Sequence, residues 1–339
     1  MINFSQLTED ALQRLDARSR DIIVRRFGIE KDEKETLESI GKEYRITRER
    51  VRQIEANAKK ELTSMQDILG GAELLLAEIF AEHGGLMSES HIVSVVEERT
   101  GMPIDPHTIH FFLTILPSFT PVPPNSLFET HWQHPASLHD NIEKIVVMAM
   151  EVLKKNNAPI ALEQLVNEIR AQAQGAVVPN THIHAALHAS KNISPTAFGD
   201  WGLVGWAETS PRGVGDKAFA VLRRHGKPAH FRDITQMINS AEFDHKKANP
   251  QTVHNELIKD GRFVLVGRGL YGLKEWGFMA GTVADVLASI LREATKPMSK
   301  DELVQAVLKQ RMVKKNTVLL SLQNNTKFRK LENDLYALA

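Results

Sequence analysis

The 339-residue chain contains no cysteine, which excludes disulfides, thiolate metal ligands, iron–sulfur clusters and cysteine nucleophiles together. Aromatic residues make up only 6% of it, so small cores filled by Leu, Ile and Val are expected rather than one large enzyme core. Long apolar runs are missing too. The longest, Ile145-Val146-Val147-Met148-Ala149-Met150, stops at Glu151, far short of the roughly 20 residues a membrane helix needs. The opening Met1-Ile2-Asn3-Phe4-Ser5 has no charged start, apolar block or small-residue cleavage site, so a cytoplasmic protein that stays off membranes is expected. No G-x-S-x-G elbow, Walker motif or paired-carboxylate arrangement occurs, so neither catalytic residues nor a cofactor are expected.

Net charge is also absent, with 42 Lys+Arg against 42 Asp+Glu, but the balance is not local. Residues 68–140 hold 1 basic and 9 acidic side chains, whereas residues 211–280 hold 12 and 7, and residues 281–339 hold 10 and 6. The basic C-terminal part can approach nucleic-acid phosphates, and the acidic middle is repelled by them.

The stretch from Thr36 to Glu55 reads as two helices and a tight turn. Thr36 and Thr47 are placed to cap them by accepting backbone N–H bonds, and Gly41 allows the second helix to approach the first. In the second helix Val51, Ile54, Ala58 and Leu62 fall on one stripe, which faces the core and turns Arg48, Glu49, Arg52 and Gln53 outward. Those side-chain types read major-groove edges: Arg pairs with guanine, Gln with adenine and Glu with cytosine. Residues 44–60 hold 6 basic and 2 acidic side chains, which suits a DNA groove. The same spacing also describes a solvated helix with surface ion pairs.

Leu15-Asp16-Ala17-Arg18-Ser19-Arg20-Asp21-Ile22-Ile23-Val24-Arg25-Arg26-Phe27-Gly28, followed by Thr47-Arg48-Glu49-Arg50-Val51-Arg52-Gln53-Ile54-Glu55, resembles region 4 of sigma-70 family factors, over about residues 7–62. The resemblance implies that the helix from Thr47 to Leu62 reads a minus-35 promoter element in double-stranded DNA. It also implies that the preceding helices dock on the beta flap of RNA polymerase core. Thr47, Arg48, Glu49, Arg50, Arg52 and Gln53 would then contact bases or phosphates, and Lys59 and Lys60 would approach phosphate. Nothing in the chain resembles the sigma segments that melt the minus-10 element, and Thr63-Ser64-Met65-Gln66-Asp67 stands where a basic tail often follows. A self-sufficient initiation factor is therefore not expected.

Beyond Gly70-Gly71 the chain repeats with a period of about 70. Thr108, Thr181, Thr252 and Thr317 each open an apolar-periodic helix, and Pro159, Pro228 and Pro297 mark the turn ahead of the last three. Trp132, Trp206, Trp276 and Tyr336 are expected to close the units. Each unit reads helix, turn, helix, capped helix and two short strands, the order of a winged helix. The fold class expected is mainly α, an N-terminal helix-turn-helix plus a tandem array of four small α+β winged-helix domains. The boundaries expected are 1–67, 68–136 (acidic), 137–209, 210–279 and 280–339 (basic).

The third unit resembles the HARE-HTH domain, a winged helix also found in the delta subunit of bacterial RNA polymerase, through Ala218-Phe219-Ala220-Val221-Leu222, Gly226-Lys227-Pro228 and Gly269-Leu270-Tyr271-Gly272-Leu273. Its hairpin tip offers Arg268, with Arg262 on the approaching strand and His254 and Asn255 in the third helix, for phosphate or minor-groove contact. The fourth unit carries Lys314, Lys315, Lys327, Arg329 and Lys330, with an acidic tip at Glu332-Asn333-Asp334. The tips Pro123-Pro124-Asn125 and Phe198-Gly199-Asp200 lack cations and suit protein contacts. His107 with His110, and His184 with His188, are close in sequence but lack a completing carboxylate or cysteine, so no metal site is expected. The reading is a transcription-associated, nucleoid-located DNA-binding protein. Its rivals are a polymerase-bound accessory factor and the targeting subunit of a nucleic-acid-processing enzyme.

Overall fold

The computed structural model describes residues 2–29, 33–173, 177–244, 246–323, 326–331 and 334–339. The chain is mostly helical, with small antiparallel sheets. Four helices open it: α1 (Phe4–Gln13), α2 (Ala17–Phe27), α3 (Leu37–Tyr44) and α4 (Arg48–Thr63). Each begins on a side-chain cap, since Asn3, Asp16, Thr36 and Thr47 all accept first-turn N–H bonds. The α3–α4 turn is tight because the αL residue Arg45 ends α3 and Ile46 N–H donates back to Gly41 carbonyl at 2.9 Å. A Cβ at Gly41 would stand 2.9 Å from the Ile46 carbonyl oxygen, so the turn closes over this position only because it is glycine.

Four repeats follow, each running helix, short extended segment, helix, helix, strand, strand. The first is α5 (Gln66–Glu82), β1 (Leu86–Met87), α6 (Glu89–Thr100), α7 (Pro106–Ile115), β2 (Thr120–Val122) and β3 (His131–Gln133). The second is α8 (Ile142–Asn156), α9 (Leu162–Gln172), α10 (Asn180–Ala189), β4 (Ile193–Pro195) and β5 (Trp201–Leu203), with an isolated bridge from Ile160 to Trp201 in place of the first strand. The third is α11 (Val214–His225), β6 (Ala229–His230), α12 (Phe231–Ser240), α13 (Pro250–Lys259), β7 (Phe263–Gly267) and β8 (Leu270–Leu273). The fourth is α14 (Val283–Ala294), β9 (Met298–Ser299), α15 (Lys300–Gln310), α16 (Lys315–Leu322), β10 (Phe328–Lys330) and β11 (Leu335–Leu338). In the three complete sheets the last strand lies between the other two, in the orders β1-β3-β2, β6-β8-β7 and β9-β11-β10.

The register corrects the aromatic frame expected from sequence. Trp132 pairs with Met87, Trp201 with Ile160, Tyr271 with Ala229 and Tyr336 with Met298, so these four residues occupy one position in the repeat. Trp206 and Trp276 lie beyond the second and third hairpins instead. The repeated threonines also sit inside the first turn rather than at its cap, a role taken by Asp105 before α7 and Asn249 before α13.

The chain divides into two compact units: one runs to Ser194 and takes in Trp201–Val204, and the other comprises Pro195–Asp200 and Gly205–Ala339. In the first, a small cluster of Ile22, Ile40 and Val51 holds α2, α3 and α4 together. A larger core then runs without a break from Phe4, Phe27 and Leu62 to Phe111, Phe112 and Trp132. Phe4 meets Phe112 edge-on at 5.0 Å and Phe27 meets Phe111 at 5.3 Å, so the helix-turn-helix and first repeat share one core. Within the second unit the third and fourth repeats have separate cores, around Leu222 and Leu257 and around Leu287 and Leu303.

The first three hairpins all make contacts beyond their own strands, although Arg268 at the third tip is exposed. Phe128, beyond Pro123-Pro124-Asn125, is buried and bridges to Ser190, while Lys191 N–H donates to Leu127 carbonyl at 2.8 Å. Phe198 packs on Phe243 at 5.8 Å under the Arg224 guanidinium, which also pairs with Asp200. Met312 N–H donates to Val266 carbonyl at 3.0 Å, joining the third hairpin to the fourth repeat.

Candidate nucleic-acid interface

Helix α4 has two unlike faces. Val51, Ala58 and Leu62 are fully buried, and Glu55 is held between Arg26 at 3.0 Å and Lys59 at 2.6 Å. Burial pushes the Glu55 carboxyl up, but the hydrogen bonds and charges of Lys59 and Arg26 outweigh it and hold the group below its usual range. Behind α4, buried Arg25 joins α2 to the start of α3 through Glu35 at 2.7 Å and also reaches Asp21 and Glu43. These anchors fix how the opposite face is presented.

That opposite face consists of Arg48, Glu49, Arg52 and Gln53, all exposed, with Thr47 and Arg50 at its start and Lys60 at its far end. Thr47 is occupied as the cap, its hydroxyl accepting Arg50 N–H at 3.2 Å. Arg52 forms a two-point ion pair with Glu49, Nη2 to Oε1 at 2.7 Å and Nε to Oε2 at 2.9 Å. The pair lowers the Glu49 pKa, chiefly through the Arg52 hydrogen bond, and raises that of Arg52. Arg50 Nη1 donates to Gln53 Oε1 at 3.2 Å. Asn57, exposed one turn beyond Gln53, belongs to the same face and was missed by the sequence reading, although its i+4 spacing from Gln53 pointed to it. Arg45 is exposed in the αL position of the turn and adds a cation that helical periodicity does not reveal.

Lys59 departs from its expected place. Its ammonium sits on Glu55 and 5.1 Å from the centre of the Phe27 ring, turned from the face that carries Arg52. Lys60 is exposed.

Two of the four candidates in the third repeat are also otherwise engaged. Arg262 Nε contacts Asp260 at 2.9 Å and Nη2 contacts Asp216 at 2.8 Å, with the guanidinium over the Phe219 ring. It precedes β7 and locks α11 to the hairpin, rather than lying ready for phosphate. His254 stacks on Phe231 at 4.5 Å and meets Tyr271 edge-on, so its ring packs α13 against α12 and the sheet. Asn255 is exposed and accepts from Gln251 Nε2 at 3.0 Å, and Arg268 is exposed in the turn between β7 and β8. The turn Gly267-Arg268-Gly269 is thus a hairpin, not a phosphate loop before a helix.

In the fourth repeat Lys315 pairs with Asp301, Lys327 with Asp285 and Lys330 with Asp334, while Lys314 and Arg329 are exposed. Of the expected acidic tip, Glu332 and Asn333 lie outside the described residues. Among the described residues no group of three or more His, Asp or Glu is placed to hold a metal, and no helix is long and apolar enough to cross a membrane. His110 instead shares Glu89 with the Trp132 indole, at 2.8 and 3.2 Å.

Comparison with known proteins bears directly on this face. Residues 11–63 match the family described as sigma-70, region 4. The N-terminal helix-turn-helix is similar to sigma-70 region 4 over these residues. Residues 214–276, the third repeat, match the HARE-HTH family, a helix-turn-helix domain named in part for ASXL and restriction endonuclease proteins. The RNA polymerase sigma factor RpoS of Coxiella burnetii is 44% identical over 59 residues, 17% of this chain and 17% of that protein. The sigma factor RpoD of Helicobacter pylori is 52% identical over 59 residues, 17% of this chain and 9% of its own. The principal sigma factor HrdD of Streptomyces coelicolor is 44% identical over 61 residues, 18% of each. The chain therefore spans less than a fifth of the length of these curated relatives.

Proposed function

We propose that the protein is a transcription-associated DNA-binding regulator, not an enzyme, that reads promoter-like duplex through α4. The observation that carries this reading is the exposed set Arg48, Glu49, Arg52 and Gln53 on a helix whose other face is fixed by Val51, Leu62 and the Arg26–Glu55–Lys59 chain. The match of residues 11–63 to sigma-70 region 4 supports a DNA-binding role tied to transcription by RNA polymerase. In the free chain Arg52 is held by Glu49, and DNA binding exchanges that ion pair for base edges, with Glu49 released toward cytosine and Gln53 toward adenine. Arg45, Arg48, Arg50 and Lys60 supply phosphate contacts.

The four repeats are read as tandem winged-helix domains, on the strength of their shared element order and central last strand. With the first hairpin engaged on the second repeat and the third on the fourth, these two hairpins serve as joints. Arg268, Asn255, Lys314 and Arg329 are the third- and fourth-repeat groups that remain exposed for phosphate. Such contacts add affinity without sequence preference. The place of action is the cytoplasm, at the nucleoid.

The alternative, an accessory factor docked on RNA polymerase through the helices before α4, is less favoured by the packing. The apolar faces of α1 and α2 are covered by α5 and α7, with Phe4 and Phe27 seated on Phe112 and Phe111. Co-purification with core polymerase in the absence of DNA tests it, and a stable stoichiometric complex that leaves duplex DNA unbound would replace the DNA-reading account.

A further inference from the structure

Six of the chain's 14 histidines gather where the first repeat packs against the second. His91 of α6 and His188 of α10 lie face to face, ring centres 4.4 Å apart and planes 9° from parallel. His83, at the end of α5, meets the His91 ring edge-on at 5.4 Å, and Trp201 meets the His188 ring at right angles at 5.0 Å. His182 of α10 contacts His139 at 4.8 Å, and His184 lies between His182 and His188 on the same helix. His83 Nδ1 is spoken for, 2.7 Å from the Ile79 carbonyl. His91 Nε2 and His182 Nδ1 are buried without a hydrogen-bond partner.

The seam has little to neutralise a proton. Helix α10 carries no acidic residue, and its only titratable side chains are the three histidines. From α5 comes Glu82, paired with Arg99 of α6, and from α6 also Glu98; β5 contributes only Trp201. The His91 and His188 rings lie in separate, nearly parallel planes, so their in-plane lone pairs do not converge and the stacked pair does not suit a shared metal ion.

We propose that this imidazole seam is an acid-sensitive joint between the first and second repeats, closed while the stacked rings are neutral and opened when proton uptake sets positive charges against one another. Burial pushes His91 down from its ordinary value to about 3, helped by His188, His83 and His184, and burial likewise lowers His83, His182, His184 and His188. Opened rings return toward 6.5, so protons bind the open form preferentially. The joint is therefore at full strength above pH 6.5 and weakens as pH falls from there toward the closed-state values. Each ring that takes up a proton only on opening shifts the closed-to-open ratio by up to roughly tenfold per pH unit.

The absence of native cysteine allows a direct test on the full chain. Ser94→Cys in α6 and Glu151→Cys in α8, both exposed positions, take a donor and an acceptor dye. Energy transfer is expected to stay constant from pH 8 to 7, change between pH 6.5 and 5.5 while far-ultraviolet circular dichroism holds steady, and recover on return to pH 8. His91→Phe keeps a flat ring without a proton site and should move the transition at least one pH unit lower. His188→Phe, at a position exposed to solvent, provides the same comparison should the buried position fail to fold. Unchanged transfer down to pH 5.5, a transition unmoved in the phenylalanine variants, or loss of helical signal in step with the transfer change would each overturn the proposal.

Discussion

Glu49 and Arg52 hold each other on the exposed face of α4, and this pair sets what single substitutions there should do. Removing the carboxylate frees a guanidinium, so Glu49→Ala is expected to raise affinity for duplex of any sequence and narrow the gap between cognate and scrambled DNA. Gln53→Ala removes an adenine-reading group and should cost about 1–3 kcal/mol on a cognate duplex and little on a scrambled one. Anisotropy titrations on both duplexes check the two substitutions together, and equal losses on both for Gln53→Ala would remove base reading from the account. In the third repeat Arg268→Glu should weaken all duplexes alike and flatten the salt dependence. Arg262→Ala, by contrast, should act through folding, because that guanidinium joins Asp216 and Asp260 under Phe219 rather than standing free.

At the scale of elements, the helix-turn-helix rests on caps and one close approach. Thr47→Ala should destabilise the first unit by about 1 kcal/mol, and Gly41→Ala by about 1–3 kcal/mol, because its methyl would press on the Ile46 carbonyl. Thermal unfolding of the full chain measures both. These features were legible in the sequence because they are local: a cap lies within three residues of its N–H, and the stripe Val51, Ile54, Ala58, Leu62 is a matter of spacing. The repeat order was legible for the same reason. What was not legible depends on partners remote in sequence. Lys59 looks like any exposed lysine until Phe27 is placed beneath it, His254 until Phe231 is placed against it, and Arg262 until Asp216, 46 residues earlier, is placed beside it. The aromatic frame slipped in the second and third repeats because Trp206 and Trp276 are more conspicuous than Trp201 and Tyr271, and only strand register distinguishes them.

For the whole molecule, the continuous core from Phe4 to Trp132 makes α4 mechanically part of the first repeat. Phe112→Ala should cost about 3–5 kcal/mol, and its effect should reach α4, lowering hydrogen-exchange protection in residues 48–63 as well as in α7. Protection lost in α7 alone would show that the helix-turn-helix stands on its own small cluster of Ile22, Ile40 and Val51. With an acidic middle and a basic C-terminal part, under the proposed function the third and fourth repeats take the phosphate-binding share and α4 takes sequence choice. The most direct test of that division is anisotropy of the full-length protein with a duplex containing a minus-35 element and with a scrambled duplex, across a salt series. The account predicts tighter binding to the promoter duplex at every salt concentration, with the difference abolished in Arg52→Ala while the scrambled duplex loses far less. Equal binding of the two duplexes by the unaltered protein would contradict it.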